Sequence, residues 1–596
     1  MLTKKTFCIP ASLFALAAFA QNSVTRPNVI MIVSDDQGYG DLGCNGNPWL
    51  ITPNIDKLNS ESVHFSNFHS ATTSAPTRAG LMTGKYCNKV GVWHTVKGRE
   101  VLDAAEITLA QNLKAAGYAT SIFGKWHLGD NYPFRPQDRG FDEVLTFDGG
   151  GVGQQPDYWN NDYFDDTYFH NGKPVKFKGY CTDIWFNETI RFIKKNKNKP
   201  FFCYLATNAP HHPYNVADKY SAPYKNNPSI SNANFYGMIA NIDENVGRLR
   251  SELKKMGLDE NTILLYMSDN GTAAGVKFNT KNEVISGYNA GMRGIKGSPY
   301  DGGHRVPFIL HWPKGGIDKA KELSTLTSYI DFAPTILELC NVQPATNQTF
   351  DGKSLKSLIL NTCVNLPERY LFVDNQREEF LTKGKQYAIM TNQWRMVGKS
   401  ELYDLKNDVG QNKNIALEHP DVVEKLQFAY EQWWTETSQN GGKFSYVQLG
   451  TSYENPQRLN CHSAHNEKGM PAWSQEDVRE GVGDNGFWPV EVSTAGEYEF
   501  ELCRWPKESQ LKMDEVAPET PKVEGVEPLK MGKQLIMQKA RIKIGDWDQT
   551  VDVSQSAKAV KFTLPLKAGK TMLQTWLIDD KDVVRGAYYV YVTKKN

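Results

Sequence analysis

Short apolar runs alternate with amphipathic stretches over residues 27–360 of the chain. The apolar runs are PNVIMIVSDD (27–36), PFFCYLATNAPHH (200–212), NTILLYMSDNG (261–271) and VPFILHW (306–312). Continuous runs of this kind are typical of strands that are buried on both faces of a mainly parallel sheet. The stretches between them have helical periodicity, as in EITLAQNLKAAG (106–117), MIANIDENVGRLRSELKKMG (238–257) and YIDFAPTILELC (329–340). This alternation predicts an α/β fold, a mixed and mainly parallel sheet flanked by helices.

The pattern changes twice after this region. Between residues 365 and 440 the apolar runs are shorter, as in RYLFVD (369–374), and a helical stretch follows them, which predicts a small antiparallel α+β subdomain. From residue 441 to 596 apolar and polar residues alternate, as in GFWPVEVSTAGEYEFELCRW (486–505), and glycine turns and aromatic residues are frequent. This pattern predicts a C-terminal accessory β-sandwich domain. The charged, proline-containing segment 506–533 is predicted to be an exposed loop.

Residues 1–20 have the organisation of a signal peptide. Lys4 and Lys5 precede an apolar run that ends in the small-x-small sequence Ala18-Phe19-Ala20. The run is too short to span a bilayer, and no later stretch approaches the roughly 20 apolar residues that a spanning helix needs. We therefore expect an exported protein, in the bacterial periplasm or secreted, without membrane insertion.

Composition excludes some classes of function. Lys+Arg and Asp+Glu are equal at 67 each, so the formal net charge is zero and the basic excess of a nucleic-acid-binding protein is missing. After the signal peptide eight cysteines remain, too few for a disulfide framework in a chain of 596 residues, although one or two bridges are possible in an oxidising compartment. These eight are Cys44, Cys87, Cys181, Cys203, Cys340, Cys363, Cys461 and Cys503.

Two predicted strands end in the same kind of polar sequence. Asp35 and Asp36 follow the first strand, and Asp269 and Asn270 follow a later one. In an α/β sheet ligands collect at the carboxyl ends of strands, so both pairs are expected at one edge. Three carboxylates and an amide oxygen suit a hard divalent cation, Ca²⁺ or Mg²⁺. Taken singly, each sequence is also typical of a turn or a helix cap.

The segment TTSAPTRAGLMTGKY (72–86) places Ser74 where a helix is predicted to begin. At that position the serine oxygen would lie at the positive end of the helix dipole and close to the proposed cation, and both effects favour a nucleophilic oxygen. Arg78, one turn further on, would lie on the same face and contact oxygens of a tetrahedral anion. The alternative is that Ser74 is only a helix cap and Arg78 a surface charge.

These motifs together resemble the type I sulfatase family of the alkaline phosphatase-like superfamily. SAPTRAGLMTGK (74–85) satisfies every position of the family signature, which is Cys or Ser, any residue, Pro, Ser or Thr, Arg, and later Thr-Gly-Arg/Lys. Further blocks that match the family in order and spacing over about residues 27–340 are SDDQGYGDLG, GKWHLG, APHHPY, SDNG and RGIKGSPYDGGHRVP. The resemblance implies a catalytic domain at 21–364 and a C-terminal subdomain of the same fold at 365–440. Residues 441–596 fall outside it.

The resemblance also implies a role for each matching position. Ser74 would be oxidised to formylglycine, and a serine here implies the bacterial, oxygen-independent radical maturase as partner. Asp35, Asp36, Asp269, Asn270 and residue 74 would hold Ca²⁺, in preference to Mg²⁺. Arg78 would stabilise the hydrated aldehyde, Lys125 and Lys296 would bind sulfate oxygens, His211 would bind substrate and protonate the leaving oxygen, and His127 would take a proton from the second hydroxyl.

These assignments agree with the chemistry of sulfate esters. The ester oxygens are anionic, so catalysis asks for cations where charge gathers, and histidine titrates near the working pH. His211 is preferred over His212 because the family block reads Ala-Pro-His-x-Pro, and the reverse assignment stays open. His94, His304 and His311 are interpreted as structural, although His304 lies within the lysine block RGIKGSPYDGGHRVP and could line the pocket.

A sulfated saccharide, such as a glycosaminoglycan, a mucin or an algal glycan, is the expected substrate. The segment QQPDYWNNDYFDDTYFHNG (154–172) either walls a carbohydrate pocket or is a surface loop anchored by its aromatic residues. The C-terminal domain is either a carbohydrate-binding module or a structural unit; its tryptophans include Trp473, Trp488, Trp505, Trp547 and Trp576. Two rival functions are a phosphomonoester or phosphodiester hydrolase of the same superfamily and a non-catalytic glycan-binding protein.

Overall fold

A computed structural model describes residues 26–363 and 366–595 of the chain. The predicted signal peptide, residues 1–20, lies outside the described residues. Within the described ranges no helix is both long enough and apolar enough to cross a bilayer.

The first region, up to residue 363, alternates strands and helices as the sequence predicts. Its strands are β1 (Asn28–Ser34), β2 (Val63–Phe65), β3 (Phe68–His69), β4 (Ala119–Lys125), β5 (Glu143–Phe147), β6 (Thr167–His170), β7 (Lys173–Lys176), β8 (Phe201–Ala206), β9 (Thr262–Ser268), β10 (Val276–Phe278), β11 (Val284–Gly287), β12 (Phe308–His311), β13 (Lys321–Leu323) and β14 (Thr327–Ser328). Its helices are α1 (Pro53–Ser60), α2 (Ser74–Thr83), α3 (Leu109–Ala115), α4 (Cys181–Asn196), α5 (Asp218–Ser221), α6 (Ala233–Lys255), α7 (Phe332–Leu339) and α8 (Lys356–Ile359).

Ten of these strands form one central sheet in the order β13-β2-β12-β9-β1-β8-β4-β5-β6-β7. β1 pairs in parallel with both of its neighbours, β8 and β9, and β4 is parallel to β8 and β5. β12, β6 and β7 pair antiparallel. The predicted mixed, mainly parallel sheet is therefore confirmed, and the four apolar runs that were predicted as strands form β1, β8, β9 and β12.

Helices cover both faces of this sheet. On one face Ile30 and Ile32 of β1 pack with residues of α1, α4 and α6. On the other face Val29, Met31 and Val33 pack with residues of α2, α3 and α7. All five side chains are fully buried, which explains why the strand is apolar without alternation. The carboxyl ends of β1, β4, β8 and β9 come together at one edge of the sheet.

The second region forms a small antiparallel sheet with one helix, as predicted. It contains β15 (Leu371–Asp374), β16 (Tyr387–Met390), β17 (Trp394–Val397), β18 (Glu401–Asp404) and α9 (Pro420–Thr437). Its strands pair in the order β15-β16-β17-β18. Residues of β15, β16 and α9 share one apolar core with α2 and α7. The Asp374 carbonyl oxygen, at the end of β15, accepts a hydrogen bond from Thr72 Oγ1, so this subdomain adjoins the turn that precedes α2.

The C-terminal region consists of two facing sheets. Its elements are β19 (Val447–Leu449), β20 (Gln457–Asn460), α10 (Gln475–Glu480), β21 (Phe487–Val492), β22 (Gly496–Cys503), β23 (Met537–Ile544), β24 (Trp547–Asp552), β25 (Val560–Leu566), β26 (Gly569–Asp579), β27 (Val584–Arg585) and β28 (Tyr589–Lys594). One sheet has the order β19-β21-β26-β23-β24 with β27 beside β26, and the other has β20-β28-β22-β25. Side chains from both sheets form a single core, as expected of a β-sandwich.

The prediction of an exposed loop at residues 506–533 is wrong in part. The segment lacks strands, but Met513, Ala517 and Val526 are buried. Gly525 accepts a hydrogen bond from the backbone of Val216, so the segment lies against the first region. The apolar positions are isolated among charged residues and prolines, which is why periodicity did not reveal them. The disulfides that were considered are not formed by Cys87, Cys181, Cys203, Cys340, Cys461 or Cys503, which are buried free thiols.

Candidate active site

The carboxyl ends of β1 and β9 bring four predicted site residues together. The last residues of the two strands pair in register, and Asp35-Asp36 and Asp269-Asn270 follow them directly. The Asp36 backbone N–H donates to Asp269 Oδ1 at 3.2 Å, and Asn270 Nδ2 donates to Asp36 Oδ1 at 2.9 Å. All four residues are buried. Asp36 has a φ of 70°, a left-handed conformation that few non-glycine residues adopt.

Ser74 is the first residue of α2 and lies against this cluster. Its Oγ is 3.2 Å from Asp35 Oδ1 and 3.2 Å from Asn270 Oδ1, so its single proton can be donated to either oxygen. The helix begins here because Thr73 is extended and Pro76 falls in the first turn, where a missing backbone N–H costs nothing. It ends at Gly84, whose φ of 70° suits glycine. Ser74 is 2% exposed, at the positive end of the helix.

Arg78 lies one turn along α2 and is fully buried. Its Nε and Nη2 donate to Asp269 Oδ2 at 3.1 and 2.7 Å, and its Nη1 donates to the Lys125 carbonyl oxygen and to the Tyr204 hydroxyl. Burial lowers the pKa of Arg78, but the neighbouring Tyr204 and Asp269 more than offset it, so the group stays charged. The guanidinium is thus directed mainly at a predicted metal ligand.

Two lysines face the same cluster. Lys125, the last residue of β4, donates from Nζ to Asp35 Oδ2 at 2.7 Å and is fully buried. Lys296 donates to Asp36 Oδ2 at 2.8 Å. Burial lowers the pKa of Lys125. Each lysine is therefore held by a different carboxylate of the cluster.

The two predicted catalytic histidines have defined tautomers. His127 Nε2 donates to the Thr95 carbonyl oxygen at 2.9 Å, which leaves Nδ1 as the basic nitrogen; no hydrogen-bond partner for Nδ1 exists among the described residues. His127 also has a positive φ of 61°. His211 Nδ1 donates to the His212 carbonyl oxygen at 2.6 Å, and its Nε2 is 3.8 Å from Asp36 Oδ2. Burial lowers the pKa of His211 to about 3, so its ring is neutral when the site is free of substrate.

A cavity of about 600 Å³ opens above these groups. Six of the predicted site residues line it, namely Asp36, Ser74, Lys125, His127, His211 and Lys296. Asp35, Asp269, Asn270 and Arg78 do not line it, but each is hydrogen-bonded to a residue that does, namely Ser74, Asp36 or Lys125. His212 also lines the cavity, but it is His211 that lies beside Asp36. The structure therefore brings all ten predicted residues to one place.

The cavity wall also contains residues that the sequence did not place at this site. His94, which had been interpreted as structural, lines the cavity, and so do Arg377, Met470 and Trp473. The last three are distant along the chain from every motif, and only the tertiary fold reveals them. His304 and His311 do not line the cavity, and each is hydrogen-bonded to a backbone carbonyl.

The aromatic segment 154–172 contributes mostly packing. Gln154 lines the cavity, but Tyr163 and Tyr168 are fully buried. Trp159 joins the core of the C-terminal sandwich and packs edge-on against Trp505. The segment is therefore mainly a connection between the first region and the C-terminal domain.

The residues present fit a divalent cation of the calcium type. Oxygen atoms of Asp35, Asp36 and Asp269 lie within 4.8 Å of one another, and Asn270 Oδ1 adds a neutral oxygen. Burial, followed by the charge of Asp269, raises the pKa of Asp35 to about 7. Three buried carboxylates repel one another, and a bound cation relieves that repulsion. The donor set contains only oxygen, as hard cations prefer, and no histidine.

Comparisons with known proteins agree with this geometry. A family model described as Sulfatase matches residues 27–342, and a model of the C-terminal part of N-sulphoglucosamine sulphohydrolase matches residues 296–434. An N-acetylgalactosamine-6-O-sulfatase of Bacteroides thetaiotaomicron is 29% identical over 494 residues, which cover 68% of this chain and 92% of that protein. The N-acetylgalactosamine-6-sulfatase of Mus musculus is 31% identical over 373 residues, covering 58% of this chain and 69% of that protein.

A solved structure extends the comparison to the fold. The crystal structure of Ps i-CgsB in complex with k-i-k-neocarrahexaose superposes with a TM-score of 0.62 at 30% sequence identity. The match covers 71% of this chain and 96% of that one. More than a quarter of this chain thus has no counterpart in that structure.

Proposed function

Because this chain belongs to the type I sulfatase family and is a sulfuric ester hydrolase, we propose that it removes O-sulfate from carbohydrates with formylglycine, made from Ser74, as its nucleophile. The observation that carries the proposal is the position of Ser74 Oγ, 3.2 Å from both Asp35 and Asn270 at the floor of a cationic cavity. A sulfated saccharide is the substrate, in line with the sugar sulfates named for its relatives.

Ser74 is the residue that maturation would change. Its side-chain carbon loses two electrons and two protons to a serine-type radical maturase, and the alcohol becomes an aldehyde. Once hydrated, that aldehyde supplies one hydroxyl to attack sulfur and a second hydroxyl through which sulfate is expelled. The chain is exported, consistent with the predicted signal peptide at residues 1–20.

Two lysines, Lys125 and Lys296, bind the sulfate group of the substrate. Lys125 and Lys296, now paired with Asp35 and Asp36, each have further N–H donors with which to bind sulfate oxygens. Arg78 holds Asp269 in place through two hydrogen bonds, from Nε and Nη2, that converge on Asp269 Oδ2. Fixed charges of this kind stabilise the negative charge that gathers in the transition state.

Two histidines transfer protons in different steps, His211 when the sugar oxygen leaves and His127 when sulfate is expelled. Nε2 of His211 gives its proton to the leaving sugar oxygen, because Nδ1 is already committed to the His212 carbonyl. The anionic substrate raises the pKa of this ring from its low value in the free site. Nδ1 of His127 takes a proton from the second hydroxyl, since its Nε2–H is held by Thr95.

Asp35, Asp36, Asp269, Asn270 and residue 74 would hold Ca²⁺, which supplies positive charge beside the attacking oxygen. Chelation of Ca²⁺ in the purified enzyme is expected to abolish hydrolysis and to lower the melting temperature, since three buried carboxylates then repel one another. At a Ca²⁺ concentration 100-fold above Kd, binding adds about 2.7 kcal/mol of stability, which calorimetry or fluorimetry will detect.

The control for this experiment is a pair of variants. Asp269→Asn should show no Ca²⁺-dependent shift in melting temperature, whereas Asp548→Asn, which changes an exposed carboxylate of the C-terminal sheet, should keep the full shift. Ca²⁺ should restore activity better than Mg²⁺. Equal melting temperatures of the unmodified protein with and without chelator would contradict the metal assignment.

Paired sulfate and phosphate esters test the reaction. Protein that is co-produced with a serine-type maturase should release sulfate from an aryl sulfate and from members of a panel of sulfated saccharides. The matching aryl phosphate should react far more slowly, because the acidic cluster has no histidine with which to bind the zinc ions of a phosphatase. A preference for phosphate, or the same sulfate release from protein made without the maturase, would overturn the proposal.

A further inference from the structure

Three side chains in the cavity wall come from parts of the chain that the catalytic assignments leave out. They are His94, in a loop of the first region, Arg377, just after β15, and Trp473, in the C-terminal domain. We propose that Arg377, His94 and Trp473 form a second recognition subsite, which binds an additional anionic group, sulfate or carboxylate, next to the scissile sulfate. This inference rests on the proposed function and specifies its substrate class as saccharides that carry more than one negative charge.

Arg377 supplies an uncommitted cation. Its side chain is exposed in the cavity wall and makes no hydrogen bond or ion pair with any described residue. By contrast, the buried arginines Arg78 and Arg395 are each paired with an aspartate. Among the described residues Asp36 is the sole acidic residue that lines the cavity, and Lys296 already neutralises it. The charge of Arg377 is therefore available to a ligand.

Hydrogen bonds made by the residues just before Arg377 hold this turn next to the candidate active site. The Asp374 carbonyl oxygen accepts from Thr72 Oγ1 at 3.0 Å, two residues before Ser74. Asn375 Nδ2 donates to the Gly297 carbonyl oxygen at 2.6 Å, one residue after Lys296. Arg377 itself has a φ of 42°, a conformation that arginine rarely adopts. The turn that carries Arg377 is thus hydrogen-bonded to the segments that contain Ser74 and Lys296, while the guanidinium makes no such bond to any described residue.

His94 adds a neutral hydrogen-bond donor beside that charge. Its Nδ1 accepts from the backbone N–H groups of Thr95, at 2.7 Å, and Val96, at 3.2 Å. The ring proton is therefore on Nε2, which has no acceptor among the described residues. Burial, and next the charge of Arg377, lower the pKa of His94 to about 3, so the ring donates a proton without carrying charge. A guanidinium and a neighbouring N–H donor are groups that bind an oxyanion.

Trp473 supplies an apolar wall from the C-terminal domain. It is 43% exposed and Met470 beside it is 44% exposed, although most large apolar side chains of that domain are buried. Its backbone is pinned: Trp473 N–H donates to Asp477 Oδ2, and its carbonyl oxygen accepts from the Gln155 N–H, both at 3.0 Å. A fixed aromatic side chain in the same cavity wall as the charged groups suits a sugar ring that bears anionic substituents. The C-terminal domain thereby completes the substrate site, an arrangement distinct from a separate binding module.

Binding to a catalytically inactive enzyme tests the subsite separately from hydrolysis. The ligands are 6-O-sulfated N-acetylgalactosamine, N-acetylglucosamine and galactose, each alone, with a second sulfate, or with an attached glucuronate. For the full chain carrying Ser74→Ala, calorimetry should give a Kd about 10- to 100-fold lower for the best doubly charged ligand than for its singly charged parent, the range expected of charge-assisted hydrogen bonds. The second sulfate and the glucuronate distinguish the two sources of the anion.

In the Ser74→Ala background, the further substitution Arg377→Gln should reduce the preference for the doubly charged ligand to less than about threefold, since the guanidinium is the source of that preference. Trp473→Ala should instead raise the Kd of the singly and the doubly charged ligand by a similar factor, about 3- to 10-fold. Arg541→Gln removes the same charge from an exposed site on the C-terminal sheet and should leave the preference intact. The subsite is refuted if no doubly charged ligand is preferred, or if the preference survives Arg377→Gln. Cleavage of the same ligands by matured enzyme reports on the proposed function independently.

Discussion

Replacing Ser74 with alanine is expected to lower sulfate-ester hydrolysis by roughly 10⁵- to 10⁶-fold, because the substitution removes the atom from which the nucleophile is made. The effect on folding should be small. Ser74 Oγ has one proton and donates a single hydrogen bond at a time, to Asp35 or to Asn270. Loss of such a bond costs about 0.5–1.5 kcal/mol, a small shift in melting temperature for a chain of this size.

Ser121→Ala is the matched control for this experiment. Ser121 is equally buried, on β4, and its Oγ contacts Cys203 Sγ at 3.3 Å, away from the cavity. Both variants remove one buried hydroxyl, and only Ser74→Ala should lose activity. Sulfate release measured over long incubations sets the limit of detection. If Ser74→Ala retained a tenth of the activity or more, residue 74 would not be the nucleophile.

Replacing Arg78 with glutamine is expected to impair both stability and catalysis. Its guanidinium makes two hydrogen bonds to Asp269 Oδ2, and both side chains are fully buried. Removing one partner of a buried ion pair leaves an uncompensated charge and costs on the order of 3–5 kcal/mol. Asp269 would also lose its orientation, so Ca²⁺ affinity and activity should fall together, activity by about 10³-fold in keeping with the loss of a fixed charge at a reaction centre.

Two further variants separate these effects. Arg395→Gln breaks another buried pair, with Asp301, outside the cavity. It should lower the melting temperature comparably but leave the activity of the folded fraction near normal. Arg78→Lys keeps the charge, yet one ammonium group cannot replace the two donors to Asp269 Oδ2 and also reach the Lys125 carbonyl and Tyr204, so it should restore only part of the stability. Full Ca²⁺ affinity in Arg78→Gln would show that the arginine does not position the metal ligands.

Much of the candidate site is marked by local sequence patterns, which is why its residues could be located from the sequence. Asp35-Asp36 and Asp269-Asn270 each follow a run of apolar residues, and parallel pairing of β1 with β9 brings the two run ends together. The helix at Ser74 also has local causes, since an extended Thr73 precedes it and Gly84 ends it. Buried strands and helix termini can be recognised from apolar runs and from the residues at helix ends.

No local sequence pattern identifies the residues of the outer cavity wall. Arg377 follows an ordinary subdomain strand, and Trp473 precedes a short helix in a region that reads as a separate domain. Their positions depend on contacts with residues far away along the chain, such as Asn375 with Gly297 and Trp473 with Gln155. The segment 506–533 illustrates the same limit, because its buried residues Met513 and Ala517 are isolated among polar ones. Residues that recognise the rest of the substrate are therefore visible only in the folded chain.

The chemical identity of residue 74 in active enzyme is the most direct test of the proposed nucleophile. Mass spectrometry should be applied to the peptide that contains this residue, from protein with full sulfatase activity co-produced with a serine-type maturase. If Ser74 becomes formylglycine, this peptide should be lighter by two hydrogens, as an aldehyde requires, in a fraction that rises and falls with specific activity. An unaltered serine in fully active enzyme would contradict it.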